Sequence, residues 1–325
     1  MNGLRRYIAR RILEAIPLIF AIIVFNFVIF HIAPGDPTSY MMAGSGVAGI
    51  DPVVIEAMKK RWGLDKPLLE QLVVYLSGVI RGDLGYSFFR NKPVSEVILE
   101  RVPATLLLIL PSACASIVVG TLIGAYLAKR PGSKLDSTVS TFSSILYSVP
   151  VFWLGLILLI IFAFGLKLFP SSGMVSPIGE YAGSVTDMLQ HLFLPSLTLF
   201  LTDVPIFIRT ARASVIEIMR EDFITTFKAM GLKENAVLYK HALRNALLPT
   251  VTIAGMLLGF LLTGAVLVET VFGWPGLGRT TYEAIYMRDY PLIMGIFVFS
   301  SIVFISITLV VDIVYAFLDP RVKYR

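Results

Sequence analysis

Six long apolar runs constrain this chain more than any other feature. They fall at residues 12–30, 104–127, 137–164, 192–213, 250–271 and 292–318. Each is about the length, roughly 20 residues, that a helix needs to cross about 30 Å of hydrocarbon. Charge is correspondingly scarce: 15% of the 325 residues are Asp, Glu, Lys or Arg, against about a quarter in an ordinary soluble domain. With 56% hydrophobic residues and a mean hydropathy of +0.78, the chain reads as an all-α integral membrane protein with six transmembrane helices. In a soluble protein a formal charge of +6 would invite nucleic acid. In a membrane protein it belongs to cytoplasmic loops, and no nucleic-acid partner is expected.

The charge distribution assigns a side to each loop. Short loops on the N-terminal side carry Lys129, Arg130 and Lys134, then the basic residues from Arg209 to Arg244, then Arg321, Lys323 and Arg325. Those on the other side carry Lys167, Arg279 and Arg288. The positive-inside rule therefore expects both termini in the cytoplasm of a cell-membrane protein; Lys59, Lys60 and Arg61 weigh little because long translocated segments escape the rule. Arg5, Arg6, Arg10 and Arg11 precede the first run, as in a secretory signal. That run is too long for most signal cores and no small-x-small cleavage site follows, so it is read as the first span.

The chain divides into a cytoplasmic N-terminus with the first transmembrane helix (1–31), an extracytoplasmic loop region (32–101), a five-helix core (102–318) and a cytoplasmic tail (319–325). The 32–101 region is hydrophilic, with turn signals at 34–37 and 51–52 and one amphipathic helix expected over 53–62. A connection this long should carry structure of its own. Within the core, Ser112, Ser116, Gly120 and Gly124 recur every fourth residue, and Gly255 and Gly259 repeat the spacing. Small side chains on one face let helices approach closely in lipid. Pro150 is placed to kink the third span, and Pro195 and Pro205 lie in the fourth.

A polar island interrupts the apolar runs at 221–249, EDFITTFKAMGLKENAVLYKHALRNALLP, the heart of an expected hairpin over 214–249. Ile216, Met219, Phe223, Phe227 and Met230 fall at helical spacing. Gly231 ends that helix, as a residue free to take positive φ does. In the second arm Leu232, Ala236, Tyr239, Leu243 and Leu247 form one stripe, and Lys233, Lys240 and Arg244 another. Two readings follow: a hairpin that presents its turn to a soluble partner, or an amphipathic loop on lipid headgroups.

Chemistry-bearing residues are few. The histidines, His31, His191 and His241, lie in separate segments without metal-ligand spacing, and the single cysteine, Cys114, sits in an apolar run and makes no intrachain disulfide. No catalytic constellation and no metal site are expected. Residues 273–280, GWPGLGRT, match the spacing of a phosphate loop but for Arg279 in place of lysine. They lie between membrane spans, without the strand such a loop needs before it. Asp203 stands near the middle of the fourth span, where a carboxylate costs about 2.5–3.5 kcal/mol on insertion scales. It is read either as lining a translocation path and binding a polar or cationic cargo group, with Ser143, Ser144 and Asn26 as further path candidates, or as making a structural hydrogen bond to a serine or threonine of the third span, such as Ser143 or Ser144.

These residues carry a resemblance. Ala229, Gly231 and Leu243 sit where the cytoplasmic EAA loop of ABC-importer permeases has its Ala, its Gly and a Leu near its end, although Arg244 stands where many families have Pro. HALRNALLP (241–249) is similar to the form in the dipeptide/oligopeptide/nickel permease branch. GDLGYSF (82–88) resembles an external loop of that family. So do Glu269, Phe272, Pro275-Gly276, Gly278, Arg288-Asp289, Pro291, Asp312, Tyr315 and Asp319-Pro320-Arg321, so that the likeness spans nearly the whole chain in order. Trp274-Pro275-Gly276 is read as a tight external turn with its aromatic at the membrane interface, and Glu269 and Asp312 as residues that hold helix ends or subunit contacts.

The resemblance implies a type I ABC-importer permease fold, with the hairpin docking on an ATPase through Asp222, Ala229, Gly231, Leu232, Lys233, Lys240, His241 and Leu243. It implies a second homologous permease, two ATPase subunits that bind the ATP and Mg, an extracytoplasmic substrate-binding protein and membrane lipid, with no cofactor in this chain. The implied cargo is di- or oligopeptide, with oligosaccharide or nickel as alternatives. A self-sufficient secondary transporter would instead show inverted repeats with broken helices at matched positions, and no such repeat is visible. A non-transporting membrane scaffold is the remaining alternative.

Overall fold

The computed structural model of the chain describes residues 2–32, 66–87, 89–179, 182–262 and 265–318. The helix expected over 53–62, the turns at 34–37 and 51–52, Phe88 and the basic tail lie outside the described residues. The elements in order are α1 (Asn2–Ile32), α2 (Leu68–Ile80), β1 (Tyr86–Ser87), β2 (Lys92–Pro93), α3 (Val94–Leu127), α4 (Lys134–Ser148), α5 (Val151–Leu158) with a π-helical extension (Leu159–Gly165), and α6 (Val185–Ile218). There follow α7 (Asp222–Ala229), α8 (Glu234–Ala236), a π-helical segment (Val237–Ala242), α9 (Leu243–Leu262), α10 (Val266–Val271), α11 (Leu277–Met287) and α12 (Tyr290–Leu318).

Among the described residues five helices are long and apolar enough to cross a bilayer, and α4 with α5, bent by 100°, makes a sixth if the pair is counted as one broken span rather than a re-entrant loop. The kink expected at Pro150 is thus a complete break. Val149 is extended (φ −79°, ψ 127°), as the residue before proline prefers, and Pro150 has no N–H with which to continue the ladder. The fifth run also differs from its reading as one span over 250–271. Helix α9 ends at Leu262, and residues 266–271 form the separate α10.

The α3–α6 pair is the centre of the bundle. Gly120 and Gly124 are buried against α6, where a Cβ on Gly120 would lie 2.6 Å from Phe207 Cβ and 2.9 Å from the Val204 carbonyl oxygen. Ser112 and Ser116 point the same way but return their hydroxyls to the carbonyls of Leu108 and Ser112, at 2.6 and 2.9 Å. The small-residue stripe therefore packs helices, as expected from its spacing. Gly255 and Gly259 do the same on α9, where Val311 and Phe304 of α12 fill the space. Helix α1 lies on α12, and the Asn26 amide donates to the Met294 carbonyl at 3.1 Å.

Ion pairs tie the helices at several points. Asp136 begins α4 in a capping arrangement with Ser133 and is buried, and Arg212 of α6 grips both its carboxylate oxygens at 2.5 and 2.7 Å. Asp312 pairs with Arg11 of α1 at 3.2 Å.

Candidate functional site

The polar island folds as two arms seated on the ends of α3 and α6. Helix α6 stops at Ile218, the chain turns through 219–221, and α7 starts afresh at Asp222. This break resets the helical phase. Ile224 becomes the fully buried residue of α7, while Phe223 and Met230, expected on the inward stripe, are exposed. At the far end of α7 the Gly231 N–H donates to the Lys228 carbonyl and the Leu232 N–H to the Phe227 carbonyl, with Gly231 at φ +77°. That is the paired bonding of a Schellman cap, and it needs the left-handed residue that glycine supplies.

The second arm also departs from its simple stripe, because residues 237–242 are π-helical. The wider turn advances the phase, so Val237, Leu238, Ala242 and Ala246 are buried and Tyr239 is exposed. Val237 and Ala242 pack on Ile224; Leu238 and Ala246 pack on Val215, Ala125 and Ala128. The arm then runs through Leu243 into α9, so this half of the hairpin is rigidly continuous with a membrane helix. The His241 ring lies 4.2 Å from that of Phe227.

The eight candidate coupling residues divide in two. Asp222, Ala229, Gly231, Lys233 and Lys240 are exposed, and nothing lies within 4 Å of a Cβ built on Gly231. Leu232 and Leu243 are partly buried in the clusters beneath the arms, and His241 is partly buried. Sequence reasoning missed Lys129 as a hairpin residue. From the turn after α3 it donates to Asn235 Oδ1 at 2.6 Å and sits 5.2 Å from the ring centres of Tyr126 and Tyr239. No local spacing signals a contact across 106 residues.

The path candidates are not gathered into one place. Asn26 is committed to Met294. Ser143 is buried, and exposed Ser144 returns its hydroxyl to the Ser140 carbonyl. Neither serine bonds Asp203, whose Oδ2 is buried without a hydrogen-bond partner among the described residues. An apolar cleft of about 530 Å³ opens at the α4–α5 break, lined by Ile145, Ser148, Val149, Pro150, Phe152 and Trp153.

The opposite end of the bundle is closed by a second constellation. Glu269 of α10 is fully buried. One of its oxygens accepts from Thr105 Oγ1 and the other from the Arg279 N–H, both at 2.9 Å, while Thr105 Oγ1 accepts from the Leu277 N–H at 2.7 Å. The positive end of α11 is thereby filled by the chain's own carboxylate. The phosphate-loop-like 273–280 segment thus has its amides occupied, and the element directly before it is the helix α10, not a strand. Trp274 corrects the expectation of an interfacial aromatic: it is fully buried, and its indole donates to the Ala104 carbonyl at 2.8 Å. The hydrogen bond explains this, since an indole N–H with a partner can be buried.

The β1–β2 hairpin docks beside it. Ser87 Oγ donates to Asp289 Oδ2 at 2.5 Å, and Arg90 pairs with Glu283. Burial pushes the Asp289 carboxyl above its usual range, and hydrogen bonds from Ser87 and the Leu292 and Phe89 amides pull it part of the way back.

Comparison with known proteins places this architecture. Residues 120–324 match the model of the binding-protein-dependent transport system inner membrane component, and residues 4–109 match the N-terminal model of the same membrane components. The chain is 38% identical over 323 residues, 98% of its length and 99% of the relative's, to the oligopeptide transport system permease protein AppB of Bacillus subtilis. It is 37% identical to the di/tripeptide transport system permease protein DppB of Pseudomonas aeruginosa and 38% identical to the glutathione transport system permease protein GsiC of Escherichia coli, with 98% of this chain and 99% of each relative covered. A chain of the MetNI methionine ABC transporter, solved in inward-facing conformations, superposes with a TM-score of 0.56 at 21% identity over 69% of this chain and 96% of that one, which shows a shared fold. With family models covering most of the sequence, the chain belongs to the binding-protein-dependent transport system inner membrane components, the multi-pass permease subunits of ABC importers.

Proposed function

We propose that this chain forms half of the membrane path of an ATP-driven importer of di- and oligopeptides. A second permease of similar fold supplies the other half, two ATPase subunits bind ATP and Mg, and a binding protein delivers the cargo. The observation that carries this reading is the hairpin itself. Its tip, from Ala229 to Lys233, is exposed but for partly buried Leu232 and presents Met230 and Lys233, while its base is packed on α3 and α6 and runs unbroken into α9. Such a lever passes force from a soluble partner to membrane helices without bending between them. The peptide names of the relatives support the cargo class. The charge bias supports cytoplasmic placement of the hairpin and both termini.

Mechanistically, ATP binding draws the two ATPases together and carries the docked hairpins with them. The attached helices then alternate between inward-open and outward-open arrangements. Coupling requires the hairpin's interaction energy to differ between those states. Proteoliposomes test the reading. The complete complex should accumulate labelled peptide only with ATP and the binding protein, and this chain alone should accumulate none. Concentrative uptake by the isolated chain refutes it, as does a hairpin modified only from outside intact cells.

A further inference from the structure

We infer that Asp203 is the counter-charge for the α-ammonium end of the peptide as it crosses the membrane, an inference that rests on the peptide-import reading above. Asp203 lies near the midpoint of α6 (Val185–Ile218), the longest buried partner of α3. Its flanking residues Val204, Phe207 and Ile208 are committed to the seam with α3. Asp203 itself is only half-buried. One oxygen, Oδ2, is sealed inside the bundle without a partner, which leaves the other as the atom a ligand can reach.

Among the described residues the chain offers this carboxylate no cation. Arg212, the basic residue of α6 that turns inward, is held by both oxygens of Asp136. Arg209 is six residues on, about 9 Å along the axis and about 120° around it. No ion pair among the described residues includes Asp203. Ionisable groups inside a membrane span otherwise pair with one another or face a water-filled path.

Two features of the site select the ligand. A single accessible oxygen accepts one N–H from a compact ammonium, whereas a guanidinium is held best by a fork of two. A permanent cation would hold this carboxylate through the whole cycle. A transient one leaves it free between cargoes, and the α-ammonium is the one positive group that unmodified linear peptides share whatever their side chains.

The test uses the complete importer in proteoliposomes with its binding protein saturated, and compares uptake of trialanine with that of N-acetyl-trialanine. The wild type should carry trialanine at least about tenfold faster, the loss expected when a charged hydrogen bond goes. Asp203→Asn should remove that preference by slowing trialanine, and Asp203→Glu should restore part of it. Equal wild-type rates for the two peptides overturn the inference. So does an Asp203→Asn complex that keeps the preference, or one that slows both peptides alike, which is what a purely structural carboxylate produces. If Asp203→Asn does not assemble, the wild-type ratio and the Asp203→Glu complex still decide. Failure of the wild type to accumulate either peptide overturns the peptide-import reading, and this inference with it.

Discussion

Replacing Gly120 by alanine should weaken the bundle at its centre, and the size of the effect can be worked from the α3–α6 seam. The added methyl would lie 2.6 Å from Phe207 Cβ, 2.9 Å from the Val204 carbonyl oxygen and 3.3 Å from the Ile208 N–H. Carbon atoms pack at about 3.5–4.0 Å, so the helices would have to part by about 1 Å. None of these three atoms can swing aside, because two belong to the backbone and the third is fixed to it. Overpacking of this kind costs about 1–3 kcal/mol, and rigid neighbours place it at the upper end. Alanine also favours a helix over glycine by about 0.5–1 kcal/mol. The net expectation is a loss of about 2 kcal/mol, roughly a thirtyfold shift in the folding equilibrium. Gly155→Ala is the matched control: it is helical and buried, but its nearest neighbour is the edge of the Phe272 ring at 3.1 Å and the rest lie at 3.5 Å or beyond. Unfolding of the purified chain in micelles of increasing SDS fraction, followed by circular dichroism, compares the two. If Gly120→Ala is as stable as wild type, or if Gly155→Ala loses as much, close backbone approach is not what this glycine provides.

Other perturbations probe the remaining joints. Arg212→Ala strands the buried Asp136 carboxylate and should cost about 3 kcal/mol, the low end of the range for a broken buried pair because the arginine side chain is 30% exposed. Adding Asp136→Ala should recover part of that loss, and the double-mutant cycle by the same denaturation measures how much. At the hairpin, Lys233→Glu, Lys240→Glu or Gly231→Val should leave the chain folded but uncouple hydrolysis from uptake; the glycine change acts through left-handed strain of about 1–2 kcal/mol, since the space around it is open. Unchanged peptide uptake per ATP in all three refutes the docking role. The clamp of β1–β2 on Asp289 has a definite pH sign. Its folded carboxyl is raised, so its contribution is fully present below the ordinary carboxylate range and is lost as pH rises through the folded value. Hydrogen exchange at 84–93 should therefore slow, after correction for intrinsic rates, as pH falls from neutral, and Asp289→Asn should flatten that dependence.

Sequence alone determined the membrane class, the apolar runs and the position of the hairpin, because each rests on local composition. Twenty consecutive apolar residues have one low-energy arrangement in lipid, and a glycine between two amphipathic segments ends a helix wherever it occurs. The packing role of the Gly120–Gly124 stripe was legible for the same reason: small residues four apart mark a face whatever lies opposite. Only the tertiary structure decided which residues of the hairpin face inward. The break after Ile218 and the π-helical segment at 237–242 shift the phase by part of a turn, and periodicity read along the chain carries no trace of such a shift. It also decided the partners of Glu269, Trp274 and Lys129, which lie 164, 170 and 106 residues away in sequence. Whether a charge or an indole is paired depends on what the fold brings opposite it. That is why Trp274, which composition puts at an interface, is buried on a hydrogen bond, and why Asp203, which composition marks as costly, has no partner among the described residues.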